Sequence, residues 1–149
     1  MKIDVWVLGK MKNFAKIAEE YKKMLSRFVD IDLLELSHEN IEDESLLKKD
    51  AVKVLKMLRD DDYLVLLDEH GTGYDSLSFA NHLSELLREK KRIIYLVGGP
   101  MGADESLKAR ANERLSLSKM TLTHRLTVVV LLEQLFRSFK ILNNERYHY

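Results

Sequence analysis

Ile93-Ile-Tyr-Leu-Val97 followed by Gly98-Gly99-Pro100-Met-Gly102 is an unbroken apolar run that stops at a cluster of glycines. A strand half exposed to water alternates apolar and polar residues. One that is apolar throughout must be covered on both faces, as in the centre of a parallel sheet. Tyr63-Leu-Val-Leu-Leu67 has the same character and is also followed by glycines, in Asp68-Glu-His-Gly71-Thr-Gly73-Tyr-Asp-Ser76. Working outward, strand-like runs at Ile3–Leu8, Ile31–Leu36, Tyr63–Leu67 and Ile93–Val97 alternate with helical periodicity over Asn13–Phe28, Glu44–Leu58, Ser76–Glu89 and Ala103–Ala111. A short strand near Arg114–Leu117 and a helix from His124 to Leu142 complete the series. Alternating strands and helices predict an α/β fold, a mostly parallel sheet flanked by helices, with Tyr63–Leu67 and Ile93–Val97 at its centre.

The 149 residues, 46% of them apolar, suffice for one core and show no linker or repeat, so one domain over 1–149 is expected. No run approaches the roughly eighteen apolar residues of a membrane span, and Met1–Lys10 lacks a cleavage signal, so a cytoplasmic protein without membrane contact is expected. The absence of cysteine excludes disulfides, thiolate nucleophiles and cysteine zinc sites, and no metal is expected. Net charge is zero but unevenly spread, with balances of +4 over 1–29, −8 over 30–69, +1 over 70–103 and +3 over 104–149. Such a chain either folds into a dipolar molecule with one face suited to a polyanion, or simply carries solvated helix faces.

Ligands of open parallel sheets sit at the carboxyl ends of the strands, which directs attention to the two glycine turns. Either turn alone is explained by a tight connection with a helix cap at Asp75 or Ser76; two on adjacent strands point to a binding site. Gly71-x-Gly73-x-x-Ser76 lacks the third glycine of the dinucleotide fingerprint, and Lys90-Lys-Arg-Ile-Ile94 stands where its acid belongs. Phosphate-loop, nucleophile-elbow and zinc-protease motifs are missing too.

Leu115-Ser-Leu-Ser-Lys-Met-Thr-Leu-Thr-His124 alternates hydroxyl and apolar residues ahead of the last helix, with Thr123 a candidate N-cap and His124 in the first turn. Leu126-Thr-Val-Val-Val-Leu-Leu132 is apolar almost all round and predicts burial on nearly every side, by a second subunit or by the fold itself. Glu133 and Arg137 are spaced for an intrahelical ion pair. The tail Arg146-Tyr147-His148-Tyr149 offers rings and a titratable imidazole suited to stacking on a base and exchanging a proton with it.

Taken together, Leu67-Asp-x-x-Gly71, Ser76-x-x-Phe79-Ala80-x-x-Leu83, Val97-Gly-Gly-Pro-x-Gly102, Leu115-Ser-Leu-Ser-x-Met120-Thr-Leu-x-His124, Glu133-Gln-x-x-Arg137 and Tyr147-His148 closely resemble the RlmH family. That family comprises SPOUT-class methyltransferases of pseudouridine in large-subunit ribosomal RNA. The resemblance implies a SPOUT-type fold with a C-terminal trefoil knot and a homodimer built on the knotted helices. It implies S-adenosylmethionine as methyl donor, held by Leu67, Gly98, Gly99, Leu117, Ser118, Lys119, Met120, Thr121 and Leu122. It implies N3 of a pseudouridine in helix 69 of 23S ribosomal RNA as acceptor, on the ribosome, with His124, Arg137, Tyr147 and His148 as catalytic-site residues. Thr123, Val128 and Phe136 stand where the family usually has proline, arginine and tyrosine, and the last two are expected to remove RNA contacts. Two other readings stay open: a knotted RNA-binding or ribosome-assembly module without turnover, and a small enzyme acting on a phosphorylated metabolite through the glycine turns.

Overall fold

A computed structural model of the protein describes residues 1–36, 44–99 and 102–148. Pro100 and Met101 of the second glycine turn, and the terminal Tyr149, lie outside the described residues. Five parallel strands, β1 (Lys2–Val7), β2 (Asp30–Glu35), β3 (Tyr63–Gly73), β4 (Arg92–Val97) and β5 (Glu113–Ser116), form one sheet in the order β2-β1-β4-β3-β5. β4 is central and pairs with β3, as the continuous apolar runs predict; β1 on its other side is buried just as deeply.

Alternation along each strand sorts the core into two layers. Ile3, Val5, Val65, Ile93, Tyr95 and Val97 face helices α1 (Ala15–Leu25), α3 (Ser76–Glu89) and α5 (His124–Leu142). Trp6, Leu64, Leu66, Ile94 and Leu96 face α2 (Glu44–Met57) and α4 (Glu105–Arg110). Asp75 caps α3 in a reciprocal box with Ser78, and Asp104 caps α4. The first helix is shorter than its periodicity suggests: a 3-10 turn over Lys12–Phe14 leads into α1, which stops at Leu25 rather than Phe28.

The first glycine turn corrects the sequence reading. The chain does not leave the sheet at Leu67; β3 runs on to Gly73, and Leu67 and Thr72 both lie opposite Leu115 across a bulge. Gly71 serves the sheet, since a Cβ there would stand 2.6 Å from the backbone carbonyl of Arg114. We predict that Gly71→Ala lowers the urea midpoint by the equivalent of about 1–3 kcal/mol, because a backbone neighbour cannot rotate away. An unchanged midpoint would show that this contact does not constrain the edge strand.

Among the described residues no helix is long and apolar enough to cross a membrane, and no group of His, Cys, Asp and Glu is arranged to hold a metal ion.

Candidate functional site

A cleft of about 920 Å³ opens at the carboxyl end of β4 beside Leu66–Glu69 of β3, bounded by the turn after β4, the segment between β5 and α5, and the first turn of α5. Leu67, Gly98, Gly99, Leu117, Ser118, Met120, Thr121, Leu122 and His124 line it. Lys119, expected with them, is exposed and off the wall, because a wall segment must present some side chains outward. Both glycine stretches contribute, but only the second does so through its glycines: Gly98, Gly99 and Gly102 are on the wall together with Asp68 and Glu69, whereas Gly71 and Gly73 are not.

Close packing of backbone explains the β4 turn. A Cβ on Gly99 would stand 2.5 Å from the carbonyl oxygen of Leu8, and one on Gly98 would stand 2.9 Å from that of Gly102. Gly102 adopts φ +82°, a left-handed conformation that suits glycine, and its N–H donates to Gly99 O at 2.8 Å.

The alternating hydroxyls of 116–123 fold that stretch onto itself and onto β3. Ser116 Oγ donates to Ser118 O and Met120 N–H donates to Ser118 Oγ, both at 2.9 Å, while Thr121 Oγ1 donates to Glu69. Thr123 caps α5 as anticipated, accepting from Leu126 N–H. The apolar side chains are thereby left to the cleft.

Sequence reasoning missed Phe14, Asp68, Glu69 and Arg125, which also line the cleft. Asp68 and Glu69 open the stretch that the strand-end rule singles out after Leu67, but its glycines, rather than its acids, were read as the binding feature. Burial pushes the Asp68 carboxyl up, but hydrogen bonds from His70 N–H and Arg114 outweigh it and leave the group below its ordinary range.

His124 packs against the turn after β1. A Cβ on Gly9 would stand 2.6 Å from its ring, and Nε2 lies 3.4 Å from Lys10 O, to which Arg125 Nε donates at 2.9 Å. Burial holds the imidazole below its usual value of 6.5, against a smaller opposing contribution from Lys10 O, with Arg125 and Lys12 adding to the depression. The folded protein therefore keeps His124 neutral where the unfolded chain binds a proton, so its contribution to stability is present above 6.5 and is lost as pH falls below that value. We predict that the urea midpoint drops more on acidification from about pH 7.5 to about pH 5.5 in the wild type than in His124→Gln; parallel curves would contradict this.

Arg137, Tyr147 and His148 are brought together, but away from the cleft wall. Arg137 Nε donates to Glu133 Oε1 at 3.1 Å, the i,i+4 pair that the spacing suggests. Tyr147 OH donates to Glu133 Oε2 at 3.1 Å, the guanidinium lies 4.7 Å above the Tyr147 ring, and an Arg137 Nη donates to His148 Nδ1 at 3.2 Å. Thirteen residues of α5 separate Arg137 from His124, about 20 Å along the axis at helical rise. One chain thus presents a cleft and a tail cluster as two sites.

One expectation is corrected here. Val128 is fully buried and Phe136 is 5% exposed, packed edge-on against Tyr147, so both are core residues and neither position faces solvent where it would meet RNA. α5 is covered by its own chain only in part: Leu126 is 38% exposed and Val129 and Val130 are partly exposed.

Residues 1–148 match the family model described as "Predicted SPOUT methyltransferase". The chain belongs to the SPOUT methyltransferase family. Full-length relatives of this SPOUT methyltransferase include the proteins named Ribosomal RNA large subunit methyltransferase H from Pseudothermotoga lettingae, 51% identical over 152 residues, and from Thermotoga neapolitana, 37% identical over 151 residues, each alignment covering 100% of both chains. The protein of that name from Ruminiclostridium cellulolyticum is 39% identical over 158 residues, covering 99% of both chains. The resemblance to the RlmH family therefore holds along the whole SPOUT domain, and the matched span takes in both the cleft and the tail cluster.

Proposed function

We infer that the protein is a homodimeric, S-adenosylmethionine-dependent methyltransferase acting on N3 of a pseudouridine in helix 69 of 23S ribosomal RNA, on cytoplasmic ribosomes. The observation that carries this reading is the cleft, assembled from the segments that the family resemblance assigns to the donor. Its properties fit a sulfonium nucleoside. The volume accommodates one, Leu67, Leu117 and Leu122 offer apolar surface for a purine, and Asp68 and Glu69 supply negative charge for a cation. Glycine at 98 and 99 lets the turn pack its backbone against Leu8 and Gly102, which sets the main chain at the wall. In this reading the chain from β5 into α5 is threaded as a trefoil knot.

When bound, S-adenosylmethionine supplies an electrophilic methyl group on sulfur. The work left to the protein is to align the acceptor nitrogen with that group, exclude water and take the N3 proton. Leu117, Ser118, Met120, Thr121, Leu122, Gly98 and Gly99 hold the donor, and neutral His124 fixes the start of α5 against the β1 turn. Arg137 anchors the base or a phosphate, with its charge directed by Glu133. Tyr147 and His148 position the ring, and the N3 proton goes to Nδ1 of His148, the ring nitrogen with the free lone pair, once Arg137, which donates to it in the free protein, turns to the base or phosphate.

The roughly 20 Å between cleft and tail cluster calls for a second copy. Packing of two chains on Leu126, Val129 and Val130 would cover the open side of α5 and bring the tail of one copy to the cleft of the other. The relatives' printed name supports the ribosomal substrate.

The test is transfer of labelled methyl from S-adenosylmethionine to ribosomes prepared from cells lacking this modification. Saturable incorporation at one pseudouridine is expected. No incorporation into ribosomes, separated subunits or naked RNA, by a protein that binds the donor, would favour the assembly module instead.

A further inference from the structure

The charge imbalance along the sequence acquires a spatial meaning. At the amino ends of the strands, Lys2 pairs with Asp4, Asp30 and Asp32, and Arg92 pairs with Asp4 and Asp62. Four carboxylates there share two cations, and burial raises the Asp4 carboxyl, so that edge is acidic. At the opposite edge Arg125 lines the cleft, and Lys10, Lys12 and Lys119 are exposed on the β1 turn and the 116–123 segment beside it; among the described residues none of the four forms an ion pair. Nearby carboxylates are held by other groups: Glu35 accepts from Met11 N–H at 3.1 Å and Glu69 accepts from Thr121, both keeping their charge, and Asp68 pairs with Arg114.

The rim is also built rather than incidental. Arg125 Nε holds the Lys10 carbonyl, which fixes the β1 turn to the start of α5. Lys12 sits at φ +48°, a left-handed backbone that a lysine rarely adopts, and among the described residues only Asn144 shares that feature outside glycine. Strain of this kind persists where the surroundings enforce it, and it concentrates at functional positions. Like charges held together without carboxylate partners are unfavourable in the free protein, and an approaching polyanion relieves them.

We propose that Lys10, Lys12, Lys119 and Arg125 form a phosphate-binding rim that holds the sugar-phosphate backbone of the RNA acceptor across the cleft mouth. This rests on the proposed function and adds the route by which the acceptor reaches the donor. Lysines on separate segments act as point charges, which suits an extended backbone rather than one compact phosphate, and they fix register without reading sequence.

The test compares Lys10→Gln/Lys12→Gln with the wild type in steady-state methyl transfer to ribosomes over a range of salt. Lys91→Gln, a lysine paired with Asp61 at the opposite edge, is the control. The double variant is expected to raise KM for ribosomes about tenfold at low salt and to reduce the slope of log KM against log salt by about two, one for each lost phosphate contact. kcat and the dissociation constant for S-adenosylmethionine stay at wild-type values, as does everything in the control. Lys12→Gly removes one charge while relieving the left-handed backbone, so a raised KM together with an undiminished melting temperature separates charge from folding. An unchanged KM and slope overturns the rim. So does weakened donor binding at unchanged slope, which would assign the cations to the donor's carboxylate. A wild-type protein that transfers no methyl at all removes the proposed function, and the rim with it.

Discussion

Arg137→Ala is expected to lower methyl transfer at least about a hundredfold while the dissociation constant for S-adenosylmethionine stays within about twofold. Arg137 is the hub of the tail cluster: it meets Glu133, lies over the Tyr147 ring and donates to His148. Its removal frees all three partners, so the loss exceeds that of one contact. The cleft, about 20 Å along α5, is untouched in the same chain. Transfer near the wild-type level would reject the tail cluster as part of the catalytic site. The same variant tests the dimer. Mixed with a partner defective only in the cleft, Arg137→Ala should recover about a quarter of wild-type activity, because half of randomly paired dimers are mixed and each mixed dimer holds one intact site. No recovery from co-refolded chains would mean that cleft and tail cooperate within one subunit.

The partner defective in the cleft is Gly99→Ala, whose expected effect is nearly as large. The added methyl would stand 2.5 Å from the Leu8 carbonyl oxygen, and neither backbone atom has a rotamer to escape into. The turn after β4 must separate from β1, and the wall formed by Gly98 and Gly99 deforms with it. Overpacking against backbone typically costs about 1–3 kcal/mol, and here that strain falls on the donor site, for a loss of donor affinity of about ten- to a hundredfold. Gly73→Ala is the contrast, since a Cβ there meets nothing within 4 Å and donor binding should not change. Equal affinities for both variants would show that the β4 turn does not form the donor wall.

The alternation of strands and helices, the two central runs and the caps at Thr123 and Asp75 were legible because each rests on local periodicity or local hydrogen bonding. Sheet order was not legible. Nothing in Lys2–Val7 announces that it lies between β2 and β4, because strand order is decided by how helices pack across the sheet. The extension of β3 to Gly73 was hidden for a related reason: Gly71 reads as a turn residue, yet it is glycine because the β5 backbone passes against it. Asp68 and Glu69, at the head of the same stretch, were passed over because its glycines carried the reading.

The last helix was half legible. Its apolar sequence predicts burial on nearly every side, and periodicity cannot say that one chain leaves Leu126, Val129 and Val130 partly open. The tail could be flagged from its residue types, whereas its convergence on Arg137 depends on α5 carrying Glu133, Phe136 and Arg137 to the place where the chain ends.

The most direct measurement is a titration of isotopically labelled protein with S-adenosylmethionine, followed by backbone amide resonances. Saturable shifts confined to 66–69, 97–99 and 115–124 are predicted, with the Tyr147-His148 amides moving only when the protein is dimeric. Shifts centred elsewhere, or none at saturating donor, would contradict the account.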